Sequence, residues 1–260
     1  MADNEALIRC KGFGDPVVWK LTRTSSLDLW GLDVLRNPIK VTASYVYDIQ
    51  YDNWYSDMLF IADYYWDCLL YAEGVGGWFS TYGHQGSGEG PEFSCPTSID
   101  VFTKQSPYYL WDYYEVYLAD WWNNRIKRFE YNWTTFDYTD IGAITGYGLC
   151  RPVDLDHHNW GTFDNEQDDY LIVLNCNNRI LGFMLHPLSL EFDYGCIPRT
   201  CFFDEPTAIA VGRDWLDVTN PLFQSYGNTK VLYVADAGNE RIVKLNHTAP
   251  EHLTLMTLFF

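Results

Sequence analysis

The stretch Val231-Leu-Tyr-Val-Ala-Asp236-Ala-Gly-Asn239-Glu-Arg241-Ile242-Val-Lys-Leu245 decides the fold. Val231, Tyr233 and Ala235 alternate with Leu232, Val234 and Asp236, the period of a strand and not of a helix. Asp236, Gly238 and Asn239 then make a turn, because Asp and Asn side chains bond nearby backbone and Gly accepts positive φ. A second strand follows, with Arg241 placed to reach back to Asp236 as a charge-assisted pair.

The same pattern recurs upstream. It reads Val116-Tyr-Leu-Ala-Asp120-Trp-Trp-Asn123-Asn-Arg125-Ile126, and in shortened form Leu171-Ile-Val-Leu-Asn175-Cys-Asn177-Asn-Arg179-Ile180. A degraded copy, Leu59-Phe-Ile-Ala-Asp63-Tyr-Tyr-Trp66-Asp-Cys68-Leu69, lacks the Asn and the Arg. Pro38, Pro96, Pro152 and Pro206 each open a unit, 58, 56 and 54 residues apart. Alternating apolar runs follow them, as in Pro96-Thr-Ser-Ile99-Asp-Val101 and Pro206-Thr-Ala-Ile209-Ala-Val211. So steady a period means a solenoid, a propeller or an array.

On three features the chain resembles the NHL-repeat family of β-propellers. They are the Asp-x-x-Asn-x-Arg-Ile turn at Asp120 and Asp236, the Pro-x-x-Ile-x-Val strand, and the glycine-rich approach Gly83-His-Gln-Gly86-Ser-Gly88-Glu-Gly90-Pro-Glu-Phe93-Ser-Cys-Pro96. The resemblance implies an all-β propeller of four-stranded blades, in one domain spanning residues 1–260. Ala6 through Leu21 aligns without gaps on Lys230 through Leu245, with Asp15 on Asn239 and Lys20 on Lys244. Residues 6–35 therefore read as a partial blade that enters at its second strand, with a third strand at Val17–Leu21 and a fourth near Leu27–Leu32. Four full repeats and this partial one make about five blades. Either they close with irregular blades, or the chain is an incomplete part of a longer propeller; the missing innermost strand favours the second.

The chain carries 35 acidic against 17 basic residues, a formal charge of −18. That sign repels phosphate backbones and makes nucleic acid a poor partner. No run of 18 apolar residues marks a membrane span, and the first residues lack the basic and apolar regions of a signal peptide. Nothing in the chain names a compartment. The seven cysteines form no Cys-x-x-Cys pair, which argues against structural zinc. They read as mostly free thiols, although Cys196 and Cys201 could bridge locally in an oxidising compartment. Aromatic residues make up 18%, with 20 Tyr and 11 Trp, more than a core needs.

Much of that surplus falls between the first and second strands of each unit. Hairpin loops usually have about 2–5 residues, yet each unit here leaves room for some ten or more between strands of about five. Every such insert carries Trp beside carboxylates, and equivalent loops of a propeller emerge on one face. The expected recognition surface is Trp54, Tyr55, Trp111, Asp112, Tyr113, Trp160, Phe163, Asp164, Trp215, Asp217 and Tyr226. Such a surface suits a protein, a basic peptide or a carbohydrate, through ring contact area and cation–π attraction.

Other chemistries fit less well. The insert from Asp154 to Asp169 offers six carboxylates, enough for calcium, but not at EF-hand spacing. His157-His158 could join Asp154 or Asp156 at a metal or acid–base site, but adjacent residues of a strand point to opposite faces. The glycine string from Gly83 lacks the Lys-Ser/Thr of a phosphate loop. In the similar propeller lyase that processes peptidyl-α-hydroxyglycine, zinc-binding histidines follow the opening prolines; here those positions are Ile39, Thr97, Val153 and Thr207. No cofactor or catalytic residue is therefore assigned. The reading is a ligand- or protein-binding module, the alternative a metal-dependent hydrolase or lyase with its site in the central channel.

Overall fold

The computed structural model describes residues 5–10, 17–22, 37–48, 53–73, 79–104, 113–132, 135, 137–159, 169–197, 200–213, 230–249 and 252–259. They fall into two compact units, Met1–Ile144 and Thr145–Phe260.

The first unit opens with an antiparallel hairpin, β1 (Glu5–Cys10) and β2 (Val17–Thr22), in which Ile8 faces Trp19. The strand expected at Val17–Leu21 is thus present, while Leu27–Leu32 lies outside the described residues. A four-stranded sheet follows, of β3 (Pro38–Asp48), β4 (Asn53–Asp63), β5 (Cys68–Glu73) and β6 (Phe79–Tyr82). A short parallel pair, β7 (His84–Gln85) and β8 (Glu92–Phe93), leads into β9 (Pro96–Lys104), β10 (Tyr113–Asp120), β11 (Arg125–Asn132) and β12 (Asp137–Ile144). The second unit holds two more such sheets. One is β13 (Asp154–Asn159), β14 (Asp169–Asn175), β15 (Arg179–Leu185) and β16 (Leu188–Tyr194). The small pair β17 (Cys196–Ile197) and β18 (Thr200–Cys201) precedes the other, β19 (Pro206–Arg213), β20 (Lys230–Asp236), β21 (Arg241–Ala249) and β22 (His252–Phe259).

Each four-stranded sheet is a meander whose strands pair in chain order. Among the described residues the one helical element is a 3-10 turn, Ala237–Asn239. The chain is all-β, with four propeller-type blades and a preceding hairpin. Pro38, Pro96 and Pro206 begin β3, β9 and β19, where a missing N–H does least harm.

The second strands of the first three blades are sunk on both faces. Every residue from Met58 to Asp63, from Tyr114 to Asp120 and from Tyr170 to Asn175 is buried, which is why these segments read as near-continuous apolar runs. In the first unit Phe60, Ile99, Val116, Leu118, Phe129 and Tyr131 share one core, edged by Tyr71, Tyr82 and Tyr138. Tyr82 and Tyr138 stack at 4.3 Å. In the second unit Ile172, Leu174, Ile180, Phe203, Ile209, Val234 and Leu245 form another. Fully burying one such side chain contributes about 1.5–3 kcal/mol. Gly182 admits the Phe192 ring, which a Cβ would meet at 2.1 Å.

Within each blade a buried polar side chain at the end of the second strand clasps a residue one to four positions ahead of the first. Asp120 accepts the Ser94 N–H at 2.7 Å, Asn123 Nδ2 at 2.9 Å and Arg125 Nε at 2.7 Å. Asp236 accepts the Asp204 N–H, Asn239 Nδ2 and Arg241 Nε at 2.7, 2.9 and 2.7 Å. Both acids have no exposed surface. In the shortened turn the acceptor is Asn175, which takes the Cys150 N–H at 2.9 Å. In the degraded turn Asp63 takes the N–H groups of Asn37, Tyr65 and Trp66, and Cys68 stands where Arg125 and Arg241 stand. A backbone bond completes each clasp: Tyr64 to Asn37, Trp122 to Ser94, Cys176 to Cys150 and Gly238 to Asp204. Asp67, Asn124, Asn178 and Glu240 all close their turns at φ between 50° and 61°, a region non-glycine residues enter rarely.

The connections between first and second strands are shorter in one case than expected. The insert from Val46 to Asp57 is a continuation of the hairpin: Val46 pairs with Tyr55, Tyr47 with Trp54 and Asp48 with Asn53. β-Branched and aromatic residues, which favour strands, fill these positions. His157 and His158 likewise lie on β13, opposite Leu171 and Tyr170, and not in a loop. Asp154 and Asp156, counted above among the acids of that insert, accept the N–H groups of Ile209 and Val211 at 2.9 and 2.7 Å and so latch β13 to β19.

Asp120→Ala leaves Arg125 buried without its carboxylate and the Ser94 N–H without an acceptor. It should lower the unfolding free energy by about 3–5 kcal/mol in urea titration, whereas Asn175→Ala, which removes a neutral amide, should cost about 1–3 kcal/mol. Equal costs would show that the ion pair does not dominate the clasp.

Candidate functional site

The turn between the second and third strands has a fixed frame and a variable tip. In the fourth blade the tip is Ala237-Gly238. In the first two blades it is Tyr64-Tyr65-Trp66 and Trp121-Trp122. The clasp holds the turn through its backbone, and the side chains at the tip range from Ala and Gly to Tyr and Trp. Tyr65, Trp66 and Trp122 are 54%, 39% and 57% exposed, and Trp121 is half-buried. Trp121 and Trp122 lie with centroids 5.4 Å apart, Tyr65 and Trp66 edge to face at 6.0 Å.

Ser94 and Cys95 bind both turns. The Ser94 carbonyl accepts the Trp122 N–H at 3.1 Å, and the Cys95 N–H donates to Asp67 Oδ1 at 2.5 Å. The glycine-rich segment buttresses the second turn. Asn123 Nδ2 reaches the Gly86 carbonyl at 2.8 Å, and the Arg125 guanidinium donates to the carbonyls of Ser87, Gly88 and Glu92. Gly83 is required there: its φ is +99°, and a Cβ would meet the Phe93 ring at 2.1 Å. The segment therefore uses its polar groups on protein and is not a phosphate cradle.

Three acids sit under these tips. Burial raises the Asp67 carboxyl above its ordinary value; the Cys95 N–H opposes this, and the charges of Asp120 and Asp63 add to it. The Cys68 thiol is pushed up to about 12 by burial and then by Asp63 and Asp67, so it stays protonated and is no nucleophile at neutral pH. The Tyr64 hydroxyl is also raised, first through its hydrogen bond with the Cys95 side chain. Glu92, in contrast, is lowered by the Gly88 N–H and remains anionic. The two turns therefore carry exposed rings near buried acids, of which Asp120 is already paired with Arg125.

The surface expected from the inserts is only partly described. Trp54 and Tyr55 lie on β4, and Tyr113 begins β10 opposite Lys104. Trp111, Asp112, Trp160, Phe163, Asp164, Trp215, Asp217 and Tyr226 lie outside the described residues. The exposed turn rings Tyr65, Trp66 and Trp122 were missed from sequence, although all three stand inside the quoted repeats. The available signal was a pair of tryptophans at turn positions that Ala and Gly fill in the fourth blade.

No protein-family model matches the chain, and no curated protein matches it. Solved structures do. A putative 6-phosphogluconolactonase from Bacteroides uniformis superposes with a TM-score of 0.51 at 11% identity, over 92% of this chain and 60% of that one. A protein from Lactobacillus plantarum gives 0.51 at 14% identity, over 93% and 77%. BBS1N, solved in complex with ARL6DN, gives 0.48 at 14% identity, over 86% and 56%. The chain thus spans 56% to 77% of the length of these three. The two likenesses at 0.51 are of fold alone and agree with a β-propeller. Among the described residues no helix is long and apolar enough to cross a membrane.

A carboxyl raised on folding disfavours the native state once ionised. That cost is absent below the unfolded value of about 3.9 and grows as pH rises through the folded one. Asp67→Asn keeps an oxygen for the Cys95 N–H and removes the charge. It should melt above the wild type at pH 7, with the gap closing as pH falls below about 3.9. A gap unchanged from pH 3 to 8 would contradict this account.

Proposed function

We propose that the chain is a ligand- or protein-binding module built from NHL-like propeller blades, and that it recognises cationic groups through aromatic rings set among carboxylates. One observation carries this reading: Tyr65, Trp66 and Trp122 stand exposed on turns whose backbones are pinned from below. Rings on a rigid frame lose little entropy on binding and supply much of an interface's energy. The charge of −18 supplies the complementary field. The NHL assignment rests on the Asp-x-x-Asn-x-Arg-Ile turns at Asp120 and Asp236, whose side chains pair within each turn.

The inserts belong to the same proposal. Their Trp54, Tyr55, Trp111, Trp160 and Trp215 are residues of the same ring chemistry. A basic peptide is the favoured partner, with carbohydrate second. Likeness to a putative lactonase does not alter this, because one propeller fold carries many activities.

Binding of the purified chain to a library of Lys/Arg-rich peptides, measured by fluorescence anisotropy, tests the proposal. Trp66→Ala with Trp122→Ala, or Trp111→Ala with Trp215→Ala, should weaken the selected peptide by about tenfold or more. The pair that does so identifies which set of rings binds. Full affinity in both double variants, or no peptide selected over acidic controls, would overturn the proposal.

A further inference from the structure

The clasp of the third blade lacks the ion pair of its neighbours. Its acceptor is the neutral Asn175, whose Nδ2 bonds the Gly148 carbonyl and Asn177 Oδ1. The following Arg179 turns away from it and pairs through Nε with Asp193 at 2.6 Å. In this blade alone of the four, the two backbone positions joined across the clasp are both cysteines. The Cys176 N–H donates to the Cys150 carbonyl at 3.1 Å, and the two Sγ atoms are 2.6 Å apart. The equivalent pairs are Asn37 with Tyr64, Ser94 with Trp122 and Asp204 with Gly238.

A separation of 2.6 Å is well inside the contact distance of two thiols and within easy reach of a bond of about 2.05 Å. Cys176 is exposed and Cys150 partly so, so an oxidant can reach the pair. We propose that Cys150 and Cys176 are a disulfide-forming site that replaces, in the third blade, the Asp–Arg pair of the second and fourth. The bond would tie the chain entering β13 to the end of β14 across 26 residues.

The co-reactant is a small-molecule disulfide. The Cys176 thiolate attacks one of its sulfurs, giving a mixed disulfide and one released thiolate. The Cys150 thiolate then attacks Cys176 Sγ, forming the protein disulfide and releasing the second thiolate. Two protein S–H bonds become one S–S bond, the small disulfide is reduced to two thiols, and the two protons go to those thiols. Although Cys176 is exposed as a residue, the packing around its Sγ, and then the Cys150 thiol, push it up to about 12, so the first step is slow at neutral pH and incubation must be long.

Reduced protein is incubated overnight with oxidised glutathione, and its remaining thiols are alkylated. Trypsin does not separate the pair, because Arg151 precedes Pro152. Cleavage before aspartate releases residues 140–153 and 169–192, each with one cysteine. Mass spectrometry should find these peptides linked, and separate after reduction. The linkage is distinct from any between Cys196 and Cys201, which face each other across β17 and β18. The oxidised protein should melt about 5–10 °C above the reduced one, and Cys150→Ser with Cys176→Ser should lose that difference. Both peptides recovered alkylated, either recovered only as a glutathione adduct, or an equal melting shift in the double variant would overturn the proposal.

Discussion

A buried hydrogen-bond acceptor at the end of each second strand is the constraint on which the blades depend. In a tight hairpin the turn sets the register. In these blades a second constraint holds the register, at the end where the second strand turns into the third. Asp63, Asp120, Asn175 and Asp236 do this by taking the backbone N–H of the residue entering the blade.

That solution has consequences along the chain. A carboxylate without exposed surface needs compensation, and the second and fourth blades supply it with Arg125 and Arg241. The first blade uses N–H groups of its own turn, and the third avoids the charge by using an amide. Each turn is held through its backbone, so the same clasp accepts tips of different side chains. Trp121-Trp122 and Ala237-Gly238 occupy the same frame, so the frame conserves backbone geometry while the tips differ in chemistry.

The sequence made the repeat, the strand–turn–strand units and the Asp–Asn–Arg pairing legible, because each rests on local rules of alternation and turn chemistry. It misled where two local signals competed. Trp54 and Tyr55, read as part of an insert, extend the β3–β4 ladder by pairing with Tyr47 and Val46. The aromatic tips were overlooked for a related reason. A tryptophan inside a repeat looks like core, and only its exposure shows otherwise.

The amino-acid sequence by itself determined the all-β class and the repeated strand–turn–strand unit, since strand period and proline spacing are properties of the chain alone. It also determined the acidity and the excess of aromatic rings. Tertiary structure decided which acids are satisfied internally, as Asp154 and Asp156 are by Ile209 and Val211. It decided as well which rings reach solvent and that Cys150 meets Cys176. These facts depend on contacts between residues tens of positions apart, and a pattern of period two carries no information about partners at that range.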